Sequence, residues 1–444
     1  DLNWQKYPVY KSSGVEWLVD IPEYWEVKKL KRLVKKIIDG THFTPNYVDE
    51  GIPFLRVTDI HGSSINMNNV RYISQKEHEQ LSKRCNPEKG DVLLSKNGTI
   101  GITKVVDWDC PFSIFVSLCL LKPVFQDIDS YFLSYIFQGK IIDYQILGSS
   151  KTTSVTNLHL DKIQNLTIVV PPLSEQQAIA NFLDDKLAQI DEYIAKKQRM
   201  IELLKEQKTV IINQAVTKGI NPDVPMQDSG VEWLGDIPEH WEAIQIKRCL
   251  KSYRYGISDS IRGEGEFKVL TMGNIQDGKV LIPEMGNLES VPEELILEYG
   301  DLLFNRTNSL DLVGKVGIFQ GSKEDKISFA SYLLRLKVNN DTNPVYLNFL
   351  LDSHGLLNVA RQRALVSLNQ VNLNPTVYCQ LTIPLPPISE QQEIASFIEK
   401  KSEKINRAIA TTEKEIKLIQ EYRKALISET VTGKKDVRKY HPSQ

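Results

Sequence analysis

The sequence predicts an α+β chain: two mixed α/β domains joined by two long helices that form an antiparallel coiled coil, with an internal pseudo-twofold repeat. Three observations carry this expectation. One block of sequence is written twice, a second block is written twice at nearly the same spacing, and a stripe of aliphatic residues runs onward from each copy of the second block.

Residues 13–32 read SGVEWLVDIPEYWEVKKLKR and return at 229–248 as SGVEWLGDIPEHWEAIQIKR, with 14 of 20 positions identical. PPLSEQQAIANFL, from Pro171, returns as PPISEQQEIASFI, from Pro386, so the two offsets are 216 and 215 residues. Self-similarity at a fixed period marks a repeat architecture. Between the blocks the two copies have diverged, keeping landmarks such as Gly90-Asp91-Val92-Leu93-Leu94 against Gly300-Asp301-Leu302-Leu303-Phe304. One scaffold therefore carries two different variable surfaces. The expected divisions are an N-terminal segment (1–22), a first variable domain (23–170), a first helical region (171–219) and a linker repeating the N-terminal segment (220–238). A second variable domain (239–385), a second helical region (386–433) and a tail (434–444) complete the chain.

Taken in order, the first variable segment shows short β-rich runs at 53–57, 92–94 and 115–121, a helical run at 131–147 and a strand at 166–170 leading into the prolines. The second offers strands at 268–271, 302–304 and 332–338 and a helix around 345–359. Double prolines favour extended backbone and cannot sit inside a helix. After them, Ser174 and Ser389 stand at the expected N-caps, with Gln177 and Gln392 three residues on completing a capping box. Ile179, Leu183, Leu187, Ile190, Ile194, Ile201, Leu204 and Ile211 form the first aliphatic stripe. Ile394, Ile398, Ile405, Ile409, Ile416, Ile419 and Leu426 form the second. Their spacing averages near 3.5, that of a coiled-coil seam. Gly219 and Gly433 close helices of about 43 residues, or about 65 Å. Such a stripe can be covered by the flanking globular domain or by the other copy; pseudo-twofold topology favours the other copy, running antiparallel.

Composition bounds the function. At 444 residues, with 41% hydrophobic and 25% charged residues, the chain reads as a multidomain globular protein. No run approaches the ~18 apolar residues of a membrane helix, and the opening DLNWQKYPVY lacks the layout of an export signal. The five cysteines (Cys85, Cys110, Cys119, Cys249, Cys379) include no CxxC pair, which argues against a zinc site or disulfide framework and for a reducing cytoplasm. A net charge of −2 is low for a DNA binder, whose affinity comes largely from Lys and Arg neutralising phosphates. Six basic residues at 27–40 (Lys28, Lys29, Lys31, Arg32, Lys35, Lys36) against Asp39 alone form either a phosphate-facing patch or a solvated helix face. Overall neutrality implies that partner subunits supply part of the electrostatic grip.

The GVEWLGDIPEHWE block, the PPxSEQQ-led helices and the two divergent segments closely resemble the specificity subunit of type I restriction–modification systems, over residues 13–433. The resemblance implies two target-recognition domains joined by helical regions in an antiparallel coiled coil. It implies binding to double-stranded DNA at a bipartite, asymmetric site with an unspecified gap. It also implies docking of two methylation subunits, which hold S-adenosylmethionine and modify adenine, with restriction subunits joining that core. The chain itself is then expected to hold no cofactor and do no chemistry.

Base readout needs side chains with paired donors and acceptors on groove-accessible loops. In the first domain the candidates are Thr41, His42 and Thr44; Lys96, Asn97 and Thr99 after a strand; and Lys151 and Thr152. In the second they are Arg254 and Tyr255; Asn305, Arg306, Asn308 and Ser309 at the aligned position; and Arg361 and Arg363. Ordinary turn chemistry explains several of these equally well. Catalytic motifs are missing: Asn374-Pro375-Thr376 and Asn221-Pro222-Asp223 lack the second proline and aromatic of an adenine methyltransferase. No phosphate-binding GxxxxGK[ST] loop or HExxH is present. Two alternatives are a self-contained methyltransferase with drifted motifs and a coiled-coil scaffold that reads no sequence. Methyl transfer by the chain alone would favour the first, and failure to enrich any duplex the second.

Overall fold

The computed structural model describes residues 5–61, 64–139, 144–145, 158–258, 263–286, 288–367 and 370–440. The chain folds as two units, one comprising Asp1–Lys197 and Glu413–Gln444, the other Gln198–Thr412. The divisions fall inside the long helices, Leu173–Lys218 and Ile388–Val431. Each unit thus contains one variable domain, the first half of its own helix and the second half of the other.

In the first unit, four antiparallel strands stand in the order Thr103–Val105, Val92–Ser95, Leu118–Pro123, Val34–Asp39. Side chains alternate across a strand, so this sheet feeds two cores. Val92, Leu94, Cys119 and Leu121 face the helix Ser130–Gln138 and the start of the long helix. Leu93, Leu118 and Leu120 face the second sheet, Ser113–Ile114, Ile52–Leu55, Arg71–Ile73 and Tyr47–Val48. In the second unit the order Val316–Ile318, Leu302–Asn305, Leu333–Val338, Leu250–Tyr255 is the same, extended at one side by Lys279–Val280 and Ile275–Gln276. Alternation recurs, with Leu302, Phe304, Leu334 and Leu336 in one core and Leu303 and Leu333 in another. The diverged segments therefore share a topology. Their Gly-Asp landmark is a turn: Gly90 and Gly300 have φ of +90° and +87°, and the carboxylates of Asp91 and Asp301 accept the N–H groups of Glu88 and Glu298 at 2.8 and 3.0 Å.

The long helices pair antiparallel within each unit. In the first, Asp191 meets Arg423 at 3.2 Å and Lys197 meets Glu415 at 2.7 Å; in the second, Lys208 reaches Asn406 at 3.2 Å. Ile179, Leu183, Leu187 and Ile190 are buried, as are Ile394, Ile398, Ile405 and Leu426, whereas Ile201, Leu204, Ile409 and Ile416 are half-buried. The globular domains and the partner helix thus each cover part of the seam.

Several local expectations are corrected. The helices begin at Leu173 and Ile388, because Pro172 O already accepts from the N–H groups of Glu175 and Gln176 (2.9 and 3.0 Å) and Pro387 O from that of Gln391 (3.0 Å). Ser174 and Ser389 lie inside the first turn and are not caps. The neighbouring Gln176 ties each helix down instead. Its Oε1 accepts from Asp129 N (2.8 Å) and its Nε2 donates to Asp127 O and Pro171 O (3.0 and 2.9 Å). Gln391 repeats the pattern with Asn343 N, Asp341 O and Pro386 O (2.7, 3.2 and 2.8 Å). The basic run at 27–40 is not a helix face: it forms the strands Glu26–Lys29 and Val34–Asp39 around one 3-10 turn. The helix expected at 131–147 spans Ser130–Gln138, and 140–143 and 146–147 lie outside the described residues. The run at 345–359 is two helices, Pro344–Leu351 and His354–Gln362. Among the described residues no helix is long and apolar enough to cross a membrane.

Candidate nucleic-acid interface

Two glycines set the geometry of the edge strand in each domain. A Cβ on Gly40 would lie 2.0 Å from Ile114 O, and one on Gly256 would lie 2.2 Å from Phe329 O. Only glycine permits that approach. The next residues, Thr41 and Ile257, bridge in parallel to Phe115 and Ala330. Asp39 and Tyr255, one position before the glycines, therefore occupy the same place in the two domains.

A second pair of equivalent positions follows the central strand. Lys96 N donates to Ser117 O (3.0 Å) and its carbonyl accepts from Leu158 N (2.7 Å); Arg306 does the same with Tyr332 O (3.3 Å) and Leu373 N (2.9 Å). In the first domain this position is closed. Lys96 is 5% exposed, and its Nζ stands 3.0 Å from the buried Asp39 carboxylate. Arg84 and His42 reach the same carboxylate at 2.7 and 3.2 Å. Burial alone would raise the Asp39 carboxyl, but hydrogen bonds from Lys96, Arg84 and His42 outweigh it and hold it below the ordinary carboxylate range. In the second domain the position is less closed: Arg306 is half-buried, its guanidinium lies over the ring of Tyr255, 5.2 Å from its centroid, and Tyr255 is 49% exposed.

The other predicted site residues sort by exposure. His42, Thr44, Thr99, Arg254, Ser309 and Arg363 are exposed, and Asn97 and Asn308 are half-buried. Thr41 and Asn305 are buried; Thr41 serves the bridge to Phe115, and Asn305 ends the central strand with Nδ2 donating to Met272 O at 3.4 Å. Arg254 approaches Glu294 at 3.8 Å. Arg361 donates to Val313 O and Asp311 O, so it braces a loop. Lys151 and Thr152 lie outside the described residues. The ends of the two central strands and the loops after them also carry buried atoms without a hydrogen-bond partner among the described residues, Asn97 Oδ1, Asn305 Oδ1 and Arg306 Nε. Unsatisfied buried atoms are rare in folded proteins and call for an explanation where they gather.

Sequence reasoning missed Arg84, which also donates to Asp39 O and Gly40 O (3.2 and 2.9 Å) and so holds the glycine turn. It stands 45 residues from Asp39, and no local pattern links the two. The equal offset of Gly40 and Gly256 was the available signal.

Comparison with known proteins agrees with this two-domain plan. The family described as "Type I restriction modification DNA specificity domain" matches residues 22–203 and again 238–418. The chain is 24% identical over 392 residues to the type I restriction enzyme EcoKI specificity subunit of Escherichia coli K12, covering 85% of this chain and 82% of that one. It is 23% identical over 444 residues to the MjaVIII specificity subunit of Methanocaldococcus jannaschii, covering 93% of each. In fold it is similar to a chain solved in work on complex assembly and conformational transition of the type I R-M system (TM-score 0.70, 14% identity, 93% of this chain and 98% of that one). It is also similar to the HsdS subunit from Thermoanaerobacter tengcongensis (TM-score 0.51, 13% identity, 93% and 98%). Two matched segments that together span most of the chain, each on one copy of the repeat, place it in a family: this protein belongs to the type I restriction–modification DNA specificity family.

Proposed function

We propose that the chain is the sequence-reading, non-catalytic subunit of a type I restriction–modification complex, with each variable domain taking one half of a bipartite DNA site. The observation that carries this reading is the pair of equivalent sheets bearing unlike residues at matching positions, Asp39 and Lys96 in one domain against Tyr255 and Arg306 in the other. A symmetric dimer of identical readers favours a palindrome. Two unlike readers in one chain have no such constraint, so the site is asymmetric. The loops nearest the glycine turns and the central-strand ends make the DNA contacts, through His42, Thr44, Asn97 and Thr99 in the first domain and Arg254, Arg306, Asn308, Ser309 and Arg363 in the second, with Tyr255 supporting Arg306. Lys151 and Thr152 belong to this set from sequence alone.

The exposed faces of the long helices dock two methylation subunits, one per repeat, and these bind S-adenosylmethionine and carry out adenine methylation; restriction subunits join that core. The paired helices act as the spacer between half-sites. Selection from a randomised duplex library by the chain with its methylation subunits tests this. The expected result is two short, different blocks at one fixed gap. Enrichment of a single block, or of none, contradicts it.

A further inference from the structure

We propose that Arg306, seated on Tyr255, is the residue with which the second domain reads a guanine of its half-site, while Lys96, in the same place in the first domain, touches no base. This rests on the sequence-reading function above and assigns a different device to each domain.

The contrast lies in what neutralises each cation. Lys96 and Asp39 each have side chains only 6% exposed. To meet DNA, Lys96 would have to break a buried ion pair, a costly change even though Arg84 and His42 also reach that carboxylate. Arg306 has no such tie. Among the described residues no carboxylate pairs with it, and its hydrogen bond from Nη1 to Ser331 O is long at 3.4 Å. Its buried Nε has no hydrogen-bond partner among the described residues. What holds it is the face of Tyr255, on an edge strand where Tyr253 is also exposed.

A guanidinium stacked on an aromatic ring keeps its charge and its plane, and its forked donors match guanine O6 and N7 in the major groove. The two positions differ as pairs between the domains: an acid faces the lysine, and an aromatic ring faces the arginine. Each pairing suits its own partner, closing one site and presenting the other. Tyr255 is on this account a positioning residue, acting through Arg306.

The test is base preference at every position of the site, measured by selection from randomised duplexes with the full chain assembled with its methylation subunits. Arg306→Lys keeps the charge but not the fork, and Arg306→Ala removes both. Each is expected to lose about ten-fold or more of the preference for guanine at one position of the second half-site, with the first half-site unchanged. Tyr255→Leu should relax that same position and add nothing to Arg306→Lys, whereas Tyr255→Phe should retain the preference. Lys96→Met combined with Asp39→Asn, which removes the buried cation together with the carboxylate charge, should leave both half-sites as they are. The assignment is overturned if Arg306→Lys keeps every preference, if it weakens binding without relaxing any one position, or if the double variant relaxes a base of the first half-site. A wild-type complex that selects no bipartite sequence instead overturns the sequence-reading function, and this assignment with it.

Discussion

Gly219 and Gly433 end the two long helices in the left-handed region, with φ of +77° and +76°, yet they do not tolerate a side chain equally. A Cβ on Gly219 would meet Trp241 at 3.3 Å and Glu390 Oε1 at 3.4 Å, whereas one on Gly433 would stand 2.4 Å from Pro22 Cδ and 3.1 Å from Trp25. Gly219→Ala therefore carries mainly the left-handed backbone cost, about 1 kcal/mol. Gly433→Ala adds overpacking against a ring that cannot move away, for a total of about 2–4 kcal/mol. Denaturant midpoints of the two variants should separate in that order, and equal losses would contradict the packing at Pro22. At the end of Pro344–Leu351, burial pushes the Asp352 carboxyl up to about 7. A carboxyl raised above its unfolded value stabilises the fold below about pH 4, and that contribution is lost as pH rises through about 7. Asp352→Asn should thus flatten the change in melting temperature between about pH 5 and about pH 8, with the variant gaining on the wild type at the higher pH.

The paired helices show what a sequence can disclose about an element. Their seam was legible because a 3.5-residue period in Ile and Leu survives any context. Their starts were not, since Ser174 and Gln177 have the spacing of a capping box, while the carbonyl of Pro172 opens the helix and Gln176 ties it down. The charge run at 27–40 misled in a similar way, because the density of lysines carries no period and Val34–Asp39 is a strand. Exposed loop candidates such as Thr44 and Arg363 could be named from composition. The closure of Lys96 could not, because Asp39 lies 57 residues away in sequence and the pairing forms only when the edge strand reaches its place. Ion pairs along the helices, such as Asp191 with Arg423, lie at the surface and contribute little to stability. On the proposed reading the outer helix faces serve docking, and Lys205 and Lys417 are exposed on them. Reversing either charge should weaken assembly with the methylation subunits in a co-purification assay. The melting temperature and the selected DNA sequence should stay as they are; a changed sequence would place these lysines at the DNA.

At the scale of the whole molecule, the notable fact is that each folded unit borrows half a helix from the other repeat. Residues 198–218 fold with the second variable domain and residues 413–431 with the first. Neither repeat is then a complete unit by itself, and a chain cut between them would leave each variable domain lacking one strand of its seam. On the proposed reading, the length of helix between the two domains also sets the gap between half-sites. An insertion of four residues at matched positions near the middle of both helices lengthens them by about 6 Å. One base pair rises about 3.4 Å, so the preferred gap should grow by about one to two base pairs. The insertion lies away from the glycine turns and the central strands, so both half-site sequences should be unchanged. Mapping methylated adenines in cells carrying the lengthened chain with its partners would measure both quantities at once. An unaltered gap would mean that the DNA spacing is set by the docked subunits, and the helices would then be a scaffold for assembly without being the measure of distance.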